Sequence, residues 1–227
     1  MNRLALFLFA VLVGCATTQT NAEDTLPTFD KPVERAIHST VLVQDEQERT
    51  YCSGTLVKKT RHILSAAHCF PPGQTFSLVG LHGRYGADVV HLDLENDIAL
   101  LRPRGVEIRL RDGVPLARKP GRMGESVFAL GHAKGDAFPF TLTSGIISYP
   151  HRKDSAGHYV QATSPLVPGM SGGGFYNSRG ELLGANLFVW TLPVHCMFPP
   201  CGAFQDSPMY GFSYHPLIKD ALQSATK

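Results

Sequence analysis

The sequence predicts an all-β protein, and three observations carry that expectation. Short runs rich in β-branched and aromatic residues recur along the chain, each bounded by glycine, proline or charged clusters: STVLVQ, YCSGTLV, HILSAA, DIALL, SVFAL, TLTSGIIS, HYVQA, ELLGANLFVW and MYGFSY. The 22 glycines and 16 prolines are scattered rather than clustered, as many turns between short strands require. No stretch of a dozen residues between these runs carries convincing helical periodicity, which favours a sandwich or barrel over alternating strands and helices.

At the N-terminus, Arg3 precedes an apolar run from Leu4 to Val13, the layout of a signal peptide over residues 1–14. The run falls well short of the roughly 20 apolar residues that a membrane-spanning helix needs. Leu12-Val13-Gly14-Cys15 resembles the bacterial lipoprotein signal. That resemblance implies acylation of Cys15, which would become the mature N-terminus and anchor the protein to a membrane. Ala16 stands where an aspartate would retain such a protein at the inner membrane. The implied address is therefore the periplasmic side of the cell envelope, as an outer-membrane lipoprotein.

Residues 15–32 are polar and end near a proline, which reads as a flexible tether. The folded body is expected over 33–227. Its internal seam is expected near 111–125, where charge and turn residues concentrate, so that two β-lobes meet there. The last residues alone look helical: Leu217, Ile218, Ala221 and Leu222 fall at helical spacing, with Pro216 suited to the first turn.

Five cysteines are an odd number for an exported chain. Setting Cys15 aside leaves Cys52 with Cys69 and Cys196 with Cys201, two candidate bridges for an oxidising compartment. The formal charge of +2 is too mild, and the basic residues too dispersed, for a nucleic-acid footprint.

Three segments carry chemistry. The first is Cys52-Ser53-Gly54-Thr55-Leu56, followed by Ser65-Ala66-Ala67-His68-Cys69; the second is Asn96-Asp97-Ile98-Ala99-Leu100-Leu101, an acid leading into an apolar strand. The third is Pro168-Gly169-Met170-Ser171-Gly172-Gly173-Gly174, a serine framed by residues that permit tight turns. Together they resemble the trypsin and chymotrypsin superfamily, in particular its shorter bacterial members. GHAKGDAFPFTLTSGIIS, residues 131–148, is similar to the HtrA-type pattern of a glycine turn followed by a T-x-T-x-G-I-x-S strand.

The resemblance runs from about Val41 to the terminal helix and implies two six-stranded β-barrel lobes with a short C-terminal helix. It implies a serine endopeptidase acting on proteins or peptides through a catalytic triad of His68, Asp97 and Ser171. The oxyanion hole would be formed by the N–H groups of Gly169 and Ser171. A bridge between Cys52 and Cys69 would stand beside the histidine, closing a loop worth roughly 3 kcal/mol in the chain-entropy picture. No metal or organic cofactor is implied, and a monomer is expected. Asp93 and Glu95 compete for the acid's role, but neither leads directly into the apolar strand.

The sequence departs from the family pattern in three places. Met170 stands where digestive members carry the acid that pairs with a newly cut N-terminus, so activation by that switch is not expected. Pro165, six residues before the serine, replaces the aspartate that selects Lys or Arg. With a pocket wall expected over Ala185, Asn186, Leu187 and Phe188, a small or apolar side chain is the expected preference. The chain ends soon after the last lobe, which suggests a protease domain without a PDZ domain.

The same residues admit two other readings. Residues 169–173 also satisfy G-x-S-x-G, the nucleophile elbow of α/β-hydrolase esterases, although there the acid and histidine follow the serine. A catalytically silent homologue serving as an envelope binding or scaffold protein is the alternative from another class, since fold alone does not imply function. The segment from Cys196 to Cys201 reads as a stapled hairpin. With His195 it lacks the spacing of a closed zinc site.

Overall fold

The structure is a computed structural model that describes residues 30–225, apart from positions 46, 48, 73, 82, 105–112, 156 and 194–205. Cys15, Cys196 and Cys201 lie outside the described residues.

The apolar run Thr40–Gln44 forms strand β1, buried along its whole length because it lines the inside of a closed sheet. It is followed by β2 (Thr50–Val57), β3 (His62–Ser65), β4 (Ser77–Gly80), β5 (Gly83–Asp93) and β6 (Ile98–Arg104). These close a barrel in the order β1-β2-β3-β6-β5-β4. A second barrel is built from β7 (Ser126–Ala133), β8 (Phe138–Asp154), β9 (Gly157–Ala162), β10 (Gly174–Asn177), β11 (Leu182–Pro193) and β12 (Asp206–Ser213), in the order β10-β11-β12-β9-β8-β7. Every ladder within the barrels is antiparallel, which rules out the parallel sheet of an α/β-hydrolase.

Closure removes exposed edges from both sheets, and alternate side chains fill the interiors. One core cluster joins Val41, Val43, Ile63, Leu64, Leu78 and Leu100 of the first barrel to Phe128, Leu130, Tyr176 and Leu187 of the second. The rings of Phe128 and Tyr176 stack at 4.8 Å. A separate cluster around Phe175, Phe212, Ile147 and Met170 fills the second barrel. The two lobes thus share an apolar seam instead of meeting through water.

The connection between them is a strap. Val114 exchanges backbone hydrogen bonds with Leu56 and Lys58, at 3.0 and 2.8 Å, on the first barrel. Ala117 donates to Leu182, and Leu182 donates to Pro115, at 2.9 and 2.8 Å on the second. Helix α2, His215–Ala225, buries Ile218, Ala221 and Leu222 as its spacing predicts, and packs on β5, β6 and β11.

A second helix, α1 (Lys31–Ser39), corrects the expectation that only the C-terminus is helical. It starts with Pro32 in the first turn and buries Ala36 and Ile37. Nine residues make too short a period to stand out in sequence, and so short a helix is held by packing more than by propensity. Strands β4, β5 and β10 also went unpredicted. β4 and β10 have only four residues each, and β5 carries charged and half-buried residues in place of an apolar run.

Two ladder irregularities bear on the site. Leu187 is an extra residue between Asn186, paired with Phe212, and Phe188, paired with Gly211. His132 has no partner where the β7–β8 register shifts between Gly131 and Ala133. Bulges free backbone groups for other work, and both of these lie beside the serine loop.

Buried histidines give the fold an acid limit. Burial pushes the His132 imidazole down to about 4, and burial lowers His62 and His215 as well. Each is held neutral when folded and takes up a proton more readily when unfolded, so stability is full above the ordinary histidine value near 6.5 and falls as pH drops toward about 4. For His132 the loss is on the order of 3 kcal/mol, and it should appear in urea denaturation at pH 7.5 against pH 4.5. A His132→Leu variant should show a shallower acid slope; an unchanged slope would contradict the assignment.

Candidate active site

His68 leaves the first barrel on a tight turn. After β3, the segment Ala67–Cys69 makes a single 3-10 turn that buries Ala67 and Cys69 and leaves the histidine exposed. Its place is fixed from two sides. Cys69 is bridged to Cys52 on β2, with Cα atoms 6.2 Å apart, and Ser65, which ends β3, donates its hydroxyl to the Ser53 carbonyl at 2.7 Å.

Asp97 sits in the turn between β5 and β6, in the left-handed region at φ +53°, which aspartate tolerates better than most residues. Asp93 builds that turn. Its carboxylate accepts the N–H groups of Glu95 and Asn96 at 3.1 and 3.0 Å and the Asn96 side-chain amide at 2.8 Å. Asp97 turns the other way and grips His68 twice, Oδ1 accepting the backbone N–H at 2.8 Å while Oδ2 lies 2.7 Å from Nδ1. An ionised carboxylate only accepts, so Nδ1 carries a proton and Nε2 of the neutral ring is left as a base.

The serine loop between β9 and β10 depends on two glycines. Gly169 (φ +94°) and Gly172 (φ +80°) both occupy the left-handed region, and a Cβ on Gly172 would fall 2.2 Å from the Ser65 hydroxyl oxygen and 2.3 Å from the Ser53 carbonyl. Such close approach is how the loop reaches the first barrel. There the Ser53 N–H donates to the Ser171 carbonyl at 2.7 Å. The N–H groups of Met170, Gly172 and Gly173 are taken by Val167, Asn186 and Met170 carbonyls. Among the described residues, those of Gly169 and Ser171 have no acceptor. The Ser171 hydroxyl lies 3.5 Å from the Leu187 carbonyl, which the bulge in β11 exposes, and no hydrogen bond joins it to His68 among the described residues.

The expected pocket wall needs correction. Ala185 and Asn186 are 1% and 0% exposed and offer no surface to a substrate. Ala185 belongs to the core, with its N–H on the Ser213 hydroxyl at 2.7 Å. Asn186 is a strut: its side-chain amide donates to the Leu130 and Met170 carbonyls, both at 3.1 Å, tying β7 and the serine loop to β11. Leu187 turns its side chain into the core and its carbonyl toward the site. Phe188 is described only by its backbone pairing in β11. Pro165 is exposed, with its carbonyl held by the Thr143 hydroxyl at 2.8 Å. Met170 is fully buried in the second core, where an apolar side chain needs no charged partner.

One histidine-cysteine group, Cys52, His68 and Cys69, brings its donor atoms within 4.8 Å. The two sulfurs are joined to each other, so neither is a thiolate that could ligate a metal.

A family model described as a trypsin-like peptidase domain matches residues 52–184, from the bridge cysteine on β2 through the serine loop into β11. The chain belongs to the trypsin-like peptidase family. A probable periplasmic serine endoprotease, DegP-like, of Marinomonas sp. (strain MWYL1) is 31% identical over 156 residues, covering 65% of this chain and 32% of that protein. Protease Do-like 1, chloroplastic, of Arabidopsis thaliana is 28% identical over 148 residues, covering 61% of this chain and 33% of its own length. The chain thus spans about a third of the length of these curated relatives. A crystal structure of the serine endoprotease from Yersinia pestis superposes with a TM-score of 0.66 at 22% identity, covering 88% of this chain and 68% of that one; it bears on the fold alone.

From sequence Ser53 is one residue of a motif and Asn186 part of a pocket wall; that both hold this trypsin-like site together is a role that sequence reasoning missed. Asn186 had a signal, a lone amide inside the apolar run LLGANLFVW that must find buried partners. Ser53 had none, because a serine in a strand is ordinary. Truncating the strut by Asn186→Ala removes a donor from the buried Leu130 and Met170 carbonyls, of which the second keeps the Gly173 N–H, and should cost about 1–3 kcal/mol by urea denaturation, a loss that a surface asparagine would not show.

Proposed function

We propose that this trypsin-like chain is a serine endopeptidase, with Ser171 as nucleophile, His68 as general base and Asp97 as the group that orients and stabilises the histidine. The observation that carries the reading is the double grip of the Asp97 carboxylate on His68, at 2.8 and 2.7 Å, set in the same site as a glycine-framed serine whose loop leaves two N–H groups without acceptors among the described residues. A hydrogen-bonded framework of this kind holds a base in one tautomer and one place.

In the proposed reaction the Ser171 hydroxyl attacks a peptide carbonyl carbon and passes its proton to His68 Nε2. The N–H groups of Gly169 and Ser171 receive the negative charge on the tetrahedral oxygen, which is where hydrogen bonds lower the barrier most. His68 then gives the proton to the leaving amine, the C–N bond breaks and an acyl-enzyme remains. Water, deprotonated by the same histidine, releases it. The reaction needs no cofactor. Catalytic hydrogen bonds to a serine commonly tighten only with substrate in place, so the turn of its hydroxyl toward Leu187 is compatible with this role.

For specificity we propose that Pro165, the Leu187 carbonyl and Phe188 border the cleft, and that no charge selects a basic side chain there. The protein acts as a monomer on protein or peptide substrates. It is exported and held on the periplasmic face of the outer membrane by a lipid on Cys15. Support for export comes from the apolar leader and from relatives named as periplasmic.

The test is cleavage of casein and a peptide library near pH 8 by the mature protein beside its Ser171→Ala variant. Loss of the nucleophile should lower turnover on the order of a millionfold. Equal rates, or none from either protein, would sink the proposal and leave the silent homologue. In the same preparation, mass spectrometry of the mature N-terminus should find an acylated Cys15; an unmodified residue elsewhere would end the anchor.

A further inference from the structure

Ser53 is fully buried on β2, yet every polar group it has is in use, and all but one of its hydrogen bonds leave the first barrel. Its N–H goes to the Ser171 carbonyl and its own carbonyl receives the Ser65 hydroxyl, each at 2.7 Å. Its hydroxyl accepts the N–H of His132 at 2.9 Å and donates to the carbonyl of Gly169 at 2.8 Å. The direction of that relay is set. A hydroxyl has one proton, so with the His132 amide arriving as donor the Ser53 proton is free to go to Gly169. The His132 N–H is available because the register shift in the β7–β8 ladder leaves His132 unpaired.

The relay acts on the peptide between the two N–H groups that matter for charge. Gly169 lies at φ +94°, where only a glycine rests easily, and a glycine there can turn its flanking peptides at little steric cost. Two hydrogen bonds oppose that turn: Lys134 N–H holds the Pro168 carbonyl at 2.7 Å, and Ser53 Oγ holds the Gly169 carbonyl. Both peptide planes flanking Gly169 are thereby anchored, and with them the directions of the N–H groups of Gly169 and Met170.

We infer that the Ser53 hydroxyl is a positioning residue of the reaction: by clamping the Gly169 carbonyl it fixes the peptide that lies between the Gly169 and Ser171 N–H groups, and so keeps those two groups converged on the substrate oxygen as charge develops. The inference rests on the proposed peptidase activity. It assigns Ser53 no contact with substrate. Its effect is therefore on the transition state, where the oxygen is charged, and not on substrate binding or on the histidine.

The experiment compares wild type, Ser53→Ala and Ser53→Thr with a peptide substrate, each normalised to active sites by titration, alongside a peptide aldehyde whose adduct carries the same oxyanion. Ser53→Ala should lose about 10- to 100-fold in kcat with KM within twofold, and should lose aldehyde affinity in parallel. The acid limb of its pH profile should stay in place, because His68 and Asp97 are untouched. Ser53→Thr, which keeps the hydroxyl, should recover most of the rate. A kcat for Ser53→Ala within twofold of wild type, or a loss carried by KM or by a shifted pH profile, overturns the inference. Should Ser53→Ala not fold, Ser53→Cys takes its place, since a thiol is the weaker donor: an intermediate kcat supports the clamp and a wild-type kcat overturns it. An inactive wild type would count against the peptidase reading itself and not against the clamp.

Discussion

Two barrels that share no strand can hold one site only if a short stretch of backbone fixes the distance between them. Here that stretch is Cys52-Ser53 on β2. The bridge from Cys52 carries Cys69 and so His68, while the next residue donates its N–H to the Ser171 carbonyl at 2.7 Å. Histidine and serine come from opposite lobes, yet both are referenced to two consecutive residues of one strand. The buried Ser53 side chain extends the same link to β7 and to Gly169. An apolar seam alone would not do this, because hydrophobic contact is non-directional and tolerates small slides, whereas hydrogen bonds of this length set position and orientation together.

The rest of the site follows a similar economy of polar groups. Irregularities in two ladders release the His132 N–H and the Leu187 carbonyl toward the serine loop, and a buried amide on β11 takes the carbonyls of Leu130 and Met170. Where a buried polar group has a partner its cost is met, and the arrangement becomes specific. Exceptions stand among the described residues: Asn186 Oδ1 and the ring nitrogens of His62 and His132 are buried without hydrogen-bond partners. For His132, burial lowers the proton affinity accordingly. The same residue whose backbone supports the serine loop thus makes the fold vulnerable to acid.

The fold was legible in the sequence wherever side-chain pattern and element coincide. Nine apolar runs became strands, the Leu217 to Leu222 spacing became α2, and the cysteine and glycine motifs marked where chain segments must approach closely. Legibility failed where contacts and not pattern decide the structure. Helix α1 is too short for its period to be read, and β10 is a four-residue consequence of the serine loop it follows. At the site, the residues flanking the chemistry could be named, but the roles of Ala185 and Asn186 could not. In a strand at the edge of a cleft, one residue of bulge decides which groups face in, and nothing in LLGANLFVW announces that Leu187 is the extra one.

The central claim is that Ser171 is a nucleophile activated by the Asp97–His68 pair. Its most direct test is to treat the folded protein with a fluorophosphonate and map the adduct by peptide mass spectrometry. The account requires one adduct, on Ser171, formed in the wild type and greatly slowed when His68→Ala removes the base. No adduct on the folded wild type, or one placed on another serine, would contradict it.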